Sequence, residues 1–429
     1  MSTIIEDFLK HYEQKYDFYQ KLSQNTASLI EKELKEGGIK AIISNRAKSI
    51  ERLGEKIKNR DRQITYQSEA DILNDIHDLA GVRVALYFPS DRLYVQKTIE
   101  KLFNISQHKV FPIKATQEYK SKLTQKFSGY AADHYRVTLS ETSTESRFLN
   151  NKVEIQVASV LMHAWSEVEH DLVYKPFSGD LTLTELALLD QINGLVLTGE
   201  IALELLQKAM AERTSNQLQQ STKSQPSREL LSNFIRSRLT DEQRKGMRIG
   251  NIFLLDLFFQ SLTSINFKIL DNYINKLNHN STEDIAEQLL NMVLLHQNIE
   301  SSEIESYFKK LDFSPSKSQD GAMFITFCTL TEKIIRDLFK DIIGEKSVFQ
   351  TMQFILTQNI PNVEESVGDL KHYWYLRRSA LFATDTVPQS EFLAGIRYLK
   401  DRIPKFIDLL RNTSTKAKFR KEYEKITKI

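Results

Sequence analysis

The chain has 429 residues, 41% of them hydrophobic and 27% charged, which is the composition of a folded protein with room for two or three domains. A net charge of +2 excludes a strongly basic chain, so any nucleic-acid surface has to be a local patch. The single cysteine, Cys328, excludes an intrachain disulfide and a cysteine-based zinc site. With no signal peptide and no run of about 18 apolar residues, the sequence predicts a cytoplasmic protein without a membrane span.

The N-terminal half alternates helical and strand patterns. Helical periodicity predicts helices over residues 4–35, 49–59, 92–103, 162–174 and 183–210. Apolar runs and period-two alternation predict strands over residues 39–43, 82–88, 109–113, 134–139 and 153–157. This order predicts an α+β domain over residues 1–212, with a mixed β-sheet of four or five strands flanked by helices.

Residues 213–227 are rich in Asn, Gln, Ser, Thr and Lys, which predicts a linker. Beyond it the patterns are helical throughout, and residues 228–429 are predicted to form an all-α domain. Helices are predicted over residues 252–262, 282–295, 303–311, 322–342, 348–356, 367–381 and 392–410. The lysine-rich run from Lys416 to Lys428 is typical of a solvated helix face.

Two acidic residues have strand contexts suited to metal binding. Asp78 stands just before the buried run that starts at Val82, and Glu154 alternates with Val153 and Ile155. Carboxylates on neighbouring strands can hold Mg²⁺ through oxygen ligands. Taken singly, each residue has a plainer interpretation, because Asp before Gly is common in turns and a strand Glu can face solvent.

Five short runs stand in a fixed order along the N-terminal half. They are Arg46-Ala47-Lys48-Ser49-Ile50, His77-Asp78-Leu79-Ala80-Gly81-Val82-Arg83, Gly129-Tyr130 with His134, Val153-Glu154-Ile155-Gln156, and Trp165-Ser166-Glu167-Val168-Glu169-His170. Together they resemble the synthetase domain of the RelA/SpoT-type alarmone synthetases, a pyrophosphokinase family with a nucleotidyltransferase-like fold. The resemblance covers residues 5–210.

The resemblance implies a role for eight residues. Asp78 and Glu154 match the family's catalytic and Mg²⁺-binding carboxylates, and Glu154 would also help to deprotonate the attacking 3′-hydroxyl. The residues matching the ATP-binding positions are Arg46, Lys48 and Lys56. The residues matching the acceptor side are Lys126, Tyr130 and His134.

The implied reaction moves the β,γ-diphosphate of ATP to the 3′-hydroxyl of GDP or GTP, giving guanosine tetraphosphate or pentaphosphate for the stringent response. The acceptor side departs from the family pattern, with Ser128 where Asn usually precedes Gly129 and with Ala158-Ser159 in place of Arg-Thr. The altered loop is closer to the toxic members, which modify the 3′ end of tRNA or make adenosine alarmones. These remain alternatives, and an inactive nucleotide-binding sensor is an alternative from another class.

Only His11 precedes the synthetase region among residues 1–40, so the histidine set of an alarmone hydrolase is missing and no hydrolysis is predicted. We expect the helical domain, residues 228–429, to restrain or trigger the synthetase, as a fused antitoxin or as a sensor that binds a protein trigger. Small members of the family often assemble as tetramers through flanking helices, which leaves a homo-oligomer open.

Overall fold

The computed structural model describes residues 3–111, 127, 129–139, 146–173, 181–220, 228–263, 267–340, 364–382 and 387–428. Within it the chain forms two compact units, Met1–Arg213 and Thr214–Ile429.

The N-terminal unit is built on a five-stranded sheet with the order β1-β2-β5-β4-β3. Strands β2 and β5 run parallel, whereas β1–β2, β5–β4 and β4–β3 are antiparallel pairs. The elements are α1 (Thr3–Gln14), α2 (Tyr16–Glu36), β1 (Ala41–Ala47), α3 (Ile50–Ile64), α4 (Glu69–Asp75), β2 (Ala80–Leu86), α5 (Arg92–Leu102), β3 (Phe103–Val110), β4 (Asp133–Leu139), β5 (Lys152–Ser159), α6 (Val160–Val173) and α7 (Leu183–Gln220). The predicted α+β class with a mixed, helix-flanked sheet is confirmed.

The two faces of this sheet differ in polarity. Along β2, Val82 and Val84 are almost completely buried, while Gly81 and Arg83, the residues just before each of them, are only half-buried. Since successive strand residues point to opposite faces, one face is apolar and the other is polar. Helix α2 lies on the apolar side, where Ser23 donates a 3.3 Å hydrogen bond to the Asn45 side chain. The polar face is therefore the one whose side chains can bind a polar ligand.

Several element boundaries differ from the predicted ones. Strand β1 ends at Ala47 rather than at residue 43, because its outward residues are polar and give no apolar signal. Strand β3 covers Phe103–Val110 instead of residues 109–113, since it is an exposed edge strand with one buried residue. The predicted helix over residues 4–35 is interrupted at Lys15.

Helix α7 is longer than predicted and continues to Gln220, into the segment expected to be a linker, of which residues 221–227 lie outside the described residues. From Leu183 to Arg213 this helix is long and apolar enough to cross a membrane, judged by length and composition alone. That is a weak indication, because core helices pass the same test. Apolar side chains are exposed along it, including Leu195 and Ile201.

The regular secondary structure among the described residues of the C-terminal unit is helical, as predicted. Its helices are α8 (Arg228–Arg238), α9 (Asp241–Gly246), α10 (Ile252–Phe259), α11 (Phe267–Ile274), α12 (Ile285–His296), α13 (Ser301–Lys310), α14 (Pro315–Leu338), α15 (Glu364–Phe382), α16 (Gln389–Leu409) and α17 (Thr413–Thr427). The predicted helix over residues 348–356 lies outside the described residues.

Helix α14 is the centre of the C-terminal unit and packs against α12, α13, α15, α16 and α17. Its buried face carries Phe324 and Phe327, which are fully buried. The Phe324 ring packs against Phe392 of α16 at 5.6 Å between centroids. Aromatic side chains bury large areas, so this contact contributes to the packing of α16 on α14.

Candidate active site

The polar face of the sheet gathers side chains from three strands. In the register, Arg46 of β1 lies opposite Gly81 of β2, and Gly81 lies opposite Glu154 of β5. Arg83 pairs in the same way with Gln156. A pocket of about 240 Å³ opens here. Its lining consists of Ser44, Asn45, Arg46, Lys48, Asp78, Gly81, Val82, Arg83, Glu154 and Gln156.

Asp78 is held between two lysines at one end of this pocket. The Nζ atom of Lys48 donates to one carboxylate oxygen at 2.6 Å, and the Nζ atom of Lys56 donates to the other at 2.8 Å. Charge-assisted hydrogen bonds of this kind are short and strong. The three side chains therefore form a cation–anion–cation row inside a partly buried site.

Backbone contacts fix the positions of this row. Lys48 follows β1 and Asp78 precedes β2, and the backbone N–H of Lys48 donates to the carbonyl of Leu79 at 3.0 Å. The hydroxyl of Tyr12 in α1 donates to the carbonyl of Lys48 at 2.7 Å. Ser49 caps α3 by accepting from the N–H of Arg52, and this helix carries Lys56. Three elements therefore converge on Asp78.

The lysines decide the charge state of Asp78. Burial alone would raise the pKa of its carboxyl group, but the charges and hydrogen bonds of Lys56 and Lys48 lower that pKa to about 2. Burial lowers the pKa of Lys48, and Asp78 opposes that effect. The site therefore holds an ionised aspartate at neutral pH.

Glu154 lies at the centre of the pocket and contacts neighbours on β4 and β5. One of its oxygens accepts from Nε2 of Gln156 at 3.0 Å, and the other lies 3.9 Å from Nδ1 of His134. Nε2 of His134 lies 3.1 Å from the hydroxyl of Tyr130. Burial raises the pKa of Tyr130 to about 12, so its hydroxyl stays protonated and can donate to the imidazole.

An aromatic group adjoins Glu154. The ring of Phe111 lies 4.8 Å from that of His134 and 5.9 Å from that of Tyr130, measured between centroids. Gly129, just before Tyr130, has a φ of +73°, a left-handed conformation that favours glycine. The rings offer a surface on which a planar base can stack.

The residues present fit a magnesium ion in donor chemistry. Asp78 and Glu154 supply carboxylate oxygens to one pocket, and Mg²⁺ is commonly held by one or two carboxylates together with substrate phosphates. Over the described stretches of the chain, no group of three or more His, Cys, Asp or Glu side chains could hold a metal ion. The protein alone therefore offers an incomplete ligand set, of the kind that phosphate oxygens complete.

The structure brings together seven of the eight residues predicted for the site, while Lys126 lies outside the described residues. Sequence reasoning did not assign a role to Arg83, which lines the pocket and forms an ion pair with Glu167 of α6. It also missed Phe111. The half-buried arginine in an otherwise apolar strand is a signal that could have identified Arg83, whereas nothing in the sequence singles out Phe111.

Cationic side chains and two carboxylates therefore lie together on the polar face of the mixed sheet. In comparison with known proteins, residues 45–178 match the family described as "Region found in RelA / SpoT proteins". This segment is therefore a RelA/SpoT domain.

One curated relative and several solved structures resemble the chain. The GTP pyrophosphokinase YwaC of Bacillus subtilis (strain 168) is 30% identical over 131 residues, which is 30% of this chain and 57% of that protein. The match therefore spans just over half the length of that relative. The small alarmone synthetase 1 from Bacillus subtilis is 17% identical, with a TM-score of 0.38, covering 47% of this chain and 99% of that one. A GTP pyrophosphokinase family protein from Streptococcus pneumoniae is 23% identical, with a TM-score of 0.37, covering 50% and 97%.

Proposed function

We propose that the protein is an ATP-dependent pyrophosphokinase that transfers the β,γ-diphosphate of ATP to the 3′-hydroxyl of GDP or GTP. The observation that carries the proposal is the row Lys48–Asp78–Lys56, of which Lys48 and Asp78 line the same pocket as Glu154. Lysines that already hold a carboxylate are placed to hold phosphate oxygens, which carry the same charge and accept the same hydrogen bonds.

The cationic side chains would bind the donor. Diphosphate transfer depends on positioning and on neutralising charge, and Lys48, Lys56, Arg46 and Arg83 supply cations at the pocket. Arg46 and Arg83 have planar guanidinium groups that can stack on a base as well as fork to phosphate. Bound Mg²⁺, held by Asp78 and Glu154 together with the phosphates, would neutralise their charge and orient them.

Glu154 would accept the proton of the attacking hydroxyl. The 3.0 Å hydrogen bond from Gln156 holds one carboxylate oxygen, which leaves the oxygen near His134 for the acceptor. The rings of Phe111 and Tyr130 lie beside it, where they can stack on the acceptor base. A general base and a stacking surface would then lie next to each other, which suits attack by a nucleoside hydroxyl.

Label transfer from γ-labelled ATP tests the proposal. We expect label in GDP or GTP, and its loss in Asp78→Ala and in Glu154→Ala. Asp75→Asn serves as the control, because Asp75 is also ion-paired, to Arg60, but does not line the pocket. Full activity of Asp78→Ala or of Glu154→Ala would refute the assignment of this pocket as the active site.

The acceptor is tested in parallel reactions. The same labelled ATP is offered with GDP or GTP, with adenosine nucleotides alone, and with deacylated tRNA. Label in the adenosine nucleotides or tRNA instead of GDP or GTP would replace the proposed acceptor with that of the toxic members. Label in none of them, with ATP binding intact, would indicate the inactive nucleotide sensor.

A further inference from the structure

The C-terminal unit contains a cavity that has no part in the proposed reaction. Its volume is about 430 Å³, within the range of pockets that take small molecules. It lies between the turn that joins α12 to α13, one face of α14, and the last helix, α17. Among its lining residues, Leu294, Ile304, Leu330 and Phe419 are buried side chains.

The inner wall of the cavity is apolar. Leu295 and Ile299 line it as half-buried side chains, and the other apolar lining residues are buried. The hydroxyl groups of Thr326 and Thr329 donate to the carbonyls of Ala322 and Ile325 in their own helix. Their protons are therefore already used, and this wall suits the hydrocarbon part of a ligand.

The charged side chains of the cavity carry an excess of positive charge. Three lysines line it, Lys333, Lys418 and Lys425, against two glutamates, Glu300 and Glu422. Lys333 of α14 pairs with Glu422 of α17 at 3.2 Å, and Lys425 of α17 pairs with Glu300 at 3.1 Å.

The Lys333–Glu422 pair is the better protected of the two. Its side chains are 25% and 30% exposed, compared with 65% and 54% for the Lys425–Glu300 pair. A less exposed cation is less screened by solvent and attracts an anion more strongly. Lys333 is therefore the cation expected to contribute most to anion binding.

We propose that this cavity binds a small amphipathic anion, with an apolar body against Leu295 and Ile299 and an acidic group facing the lysines. The acidic group competes with Glu422 for Lys333. Removing the lysine should therefore weaken binding, and removing the glutamate should strengthen it.

Fluorescence titration of the full chain with 8-anilinonaphthalene-1-sulfonate tests this, because the dye joins an aromatic body to a sulfonate. Lys333→Met should weaken its binding about tenfold, and Glu422→Gln should tighten it about fivefold, which correspond to about 1.4 and about 1 kcal/mol. Both changes break the same ion pair, so a purely structural effect would move the affinity in one direction. Opposite shifts identify the charge of the cavity as the cause.

Two controls complete the test. Lys309→Met removes an exposed lysine of α13 that pairs with Glu305 and does not line the cavity, so it should leave dye affinity unchanged. The neutral dye N-phenyl-1-naphthylamine should bind both cavity variants equally. The proposal is overturned if Lys333→Met and Glu422→Gln shift the affinity in the same direction or not at all. It is also overturned if ATP displaces all of the dye, which would place the dye in the N-terminal pocket.

Discussion

Replacing Asp78 by Asn separates its two proposed roles, as counter-ion of the lysines and as metal ligand. The fall of its pKa from 3.8 to about 2 corresponds to about 2 kcal/mol that favours the ionised carboxylate in the folded protein. Because this pKa is depressed, the stabilisation is present at neutral pH and is lost only as the pH falls from about 4 towards 2. Asp78→Asn should therefore destabilise the N-terminal unit by about 2 kcal/mol at pH 7.

The same interaction opposes ATP in the free enzyme. Phosphate oxygens must draw Lys48 and Lys56 away from Asp78, to which they donate at 2.6 and 2.8 Å. In Asp78→Asn no free energy is needed to separate the lysines from a carboxylate. Metal-free ATP should therefore bind up to about thirtyfold more tightly, which corresponds to about 2 kcal/mol. Diphosphate transfer should nevertheless be abolished, because the proposed metal ligand is lost.

Calorimetric titration with ATP, in EDTA and in Mg²⁺, measures both effects. In the wild-type chain Mg²⁺ should strengthen ATP binding, and in Asp78→Asn this dependence should largely vanish. Asp75→Asn should behave as the wild type does, since Asp75 pairs with Arg60 away from the pocket. If Asp78→Asn loses metal-free ATP binding together with transfer, the competition between carboxylate and phosphate is refuted.

Three further outcomes are expected. Tyr130→Ala should weaken acceptor binding by about 1–3 kcal/mol through lost stacking, while Tyr130→Phe keeps it; equal KM values for the acceptor in both would contradict this role. Burial lowers the pKa of His163 to about 4, so between pH 4 and 6.5 this histidine is protonated in the unfolded chain but neutral in the folded one. The free energy of unfolding should therefore rise by about 3 kcal/mol from pH 4 to 6.5. Trp165 fluorescence in a Trp374→Phe background should report that rise, and His163→Gln should remove it. If the C-terminal unit restrains the synthetase, residues 1–220 alone should be more active and more toxic than the whole chain; equal activity and toxicity would end that hypothesis.

The apolar strands β2 and β5 could be predicted from the sequence. Strand β1, a more polar strand at one edge of the sheet, could not be placed with the same precision. Strands β2 and β5 alternate buried and half-buried residues, which is the pattern that a buried apolar face imposes. Strand β1 has polar residues at Ser44, Asn45 and Arg46, so its end was predicted too early. As a result, Arg46 was placed after the strand, whereas it lies on β1 opposite Gly81.

The composition of the site was more predictable than its contacts. Family motifs pointed to Asp78, Glu154 and the basic residues, and the pocket contains Asp78, Glu154, Arg46 and Lys48. That Lys48 and Lys56 both bind Asp78 could not be predicted, because side-chain partners depend on helix placement and strand register. The Arg83–Glu167 pair between β2 and α6 was missed for the same reason.

The parallel pairing of β2 with β5 is what allows the two carboxylates to share a pocket. Asp78 stands before the start of β2, and Glu154 stands near the start of β5, opposite Gly81. In a parallel pair the first residues of both strands lie at the same end of the sheet. Antiparallel pairing would place Glu154 at the opposite end. A shift of one residue in the register of β5 against β2 would turn the Glu154 side chain to the apolar face, on which Val82 lies. Strand β1 runs antiparallel to β2, so its last residue is followed by Lys48 at that same end of the sheet, and the proposed donor site follows from the direction of three strands.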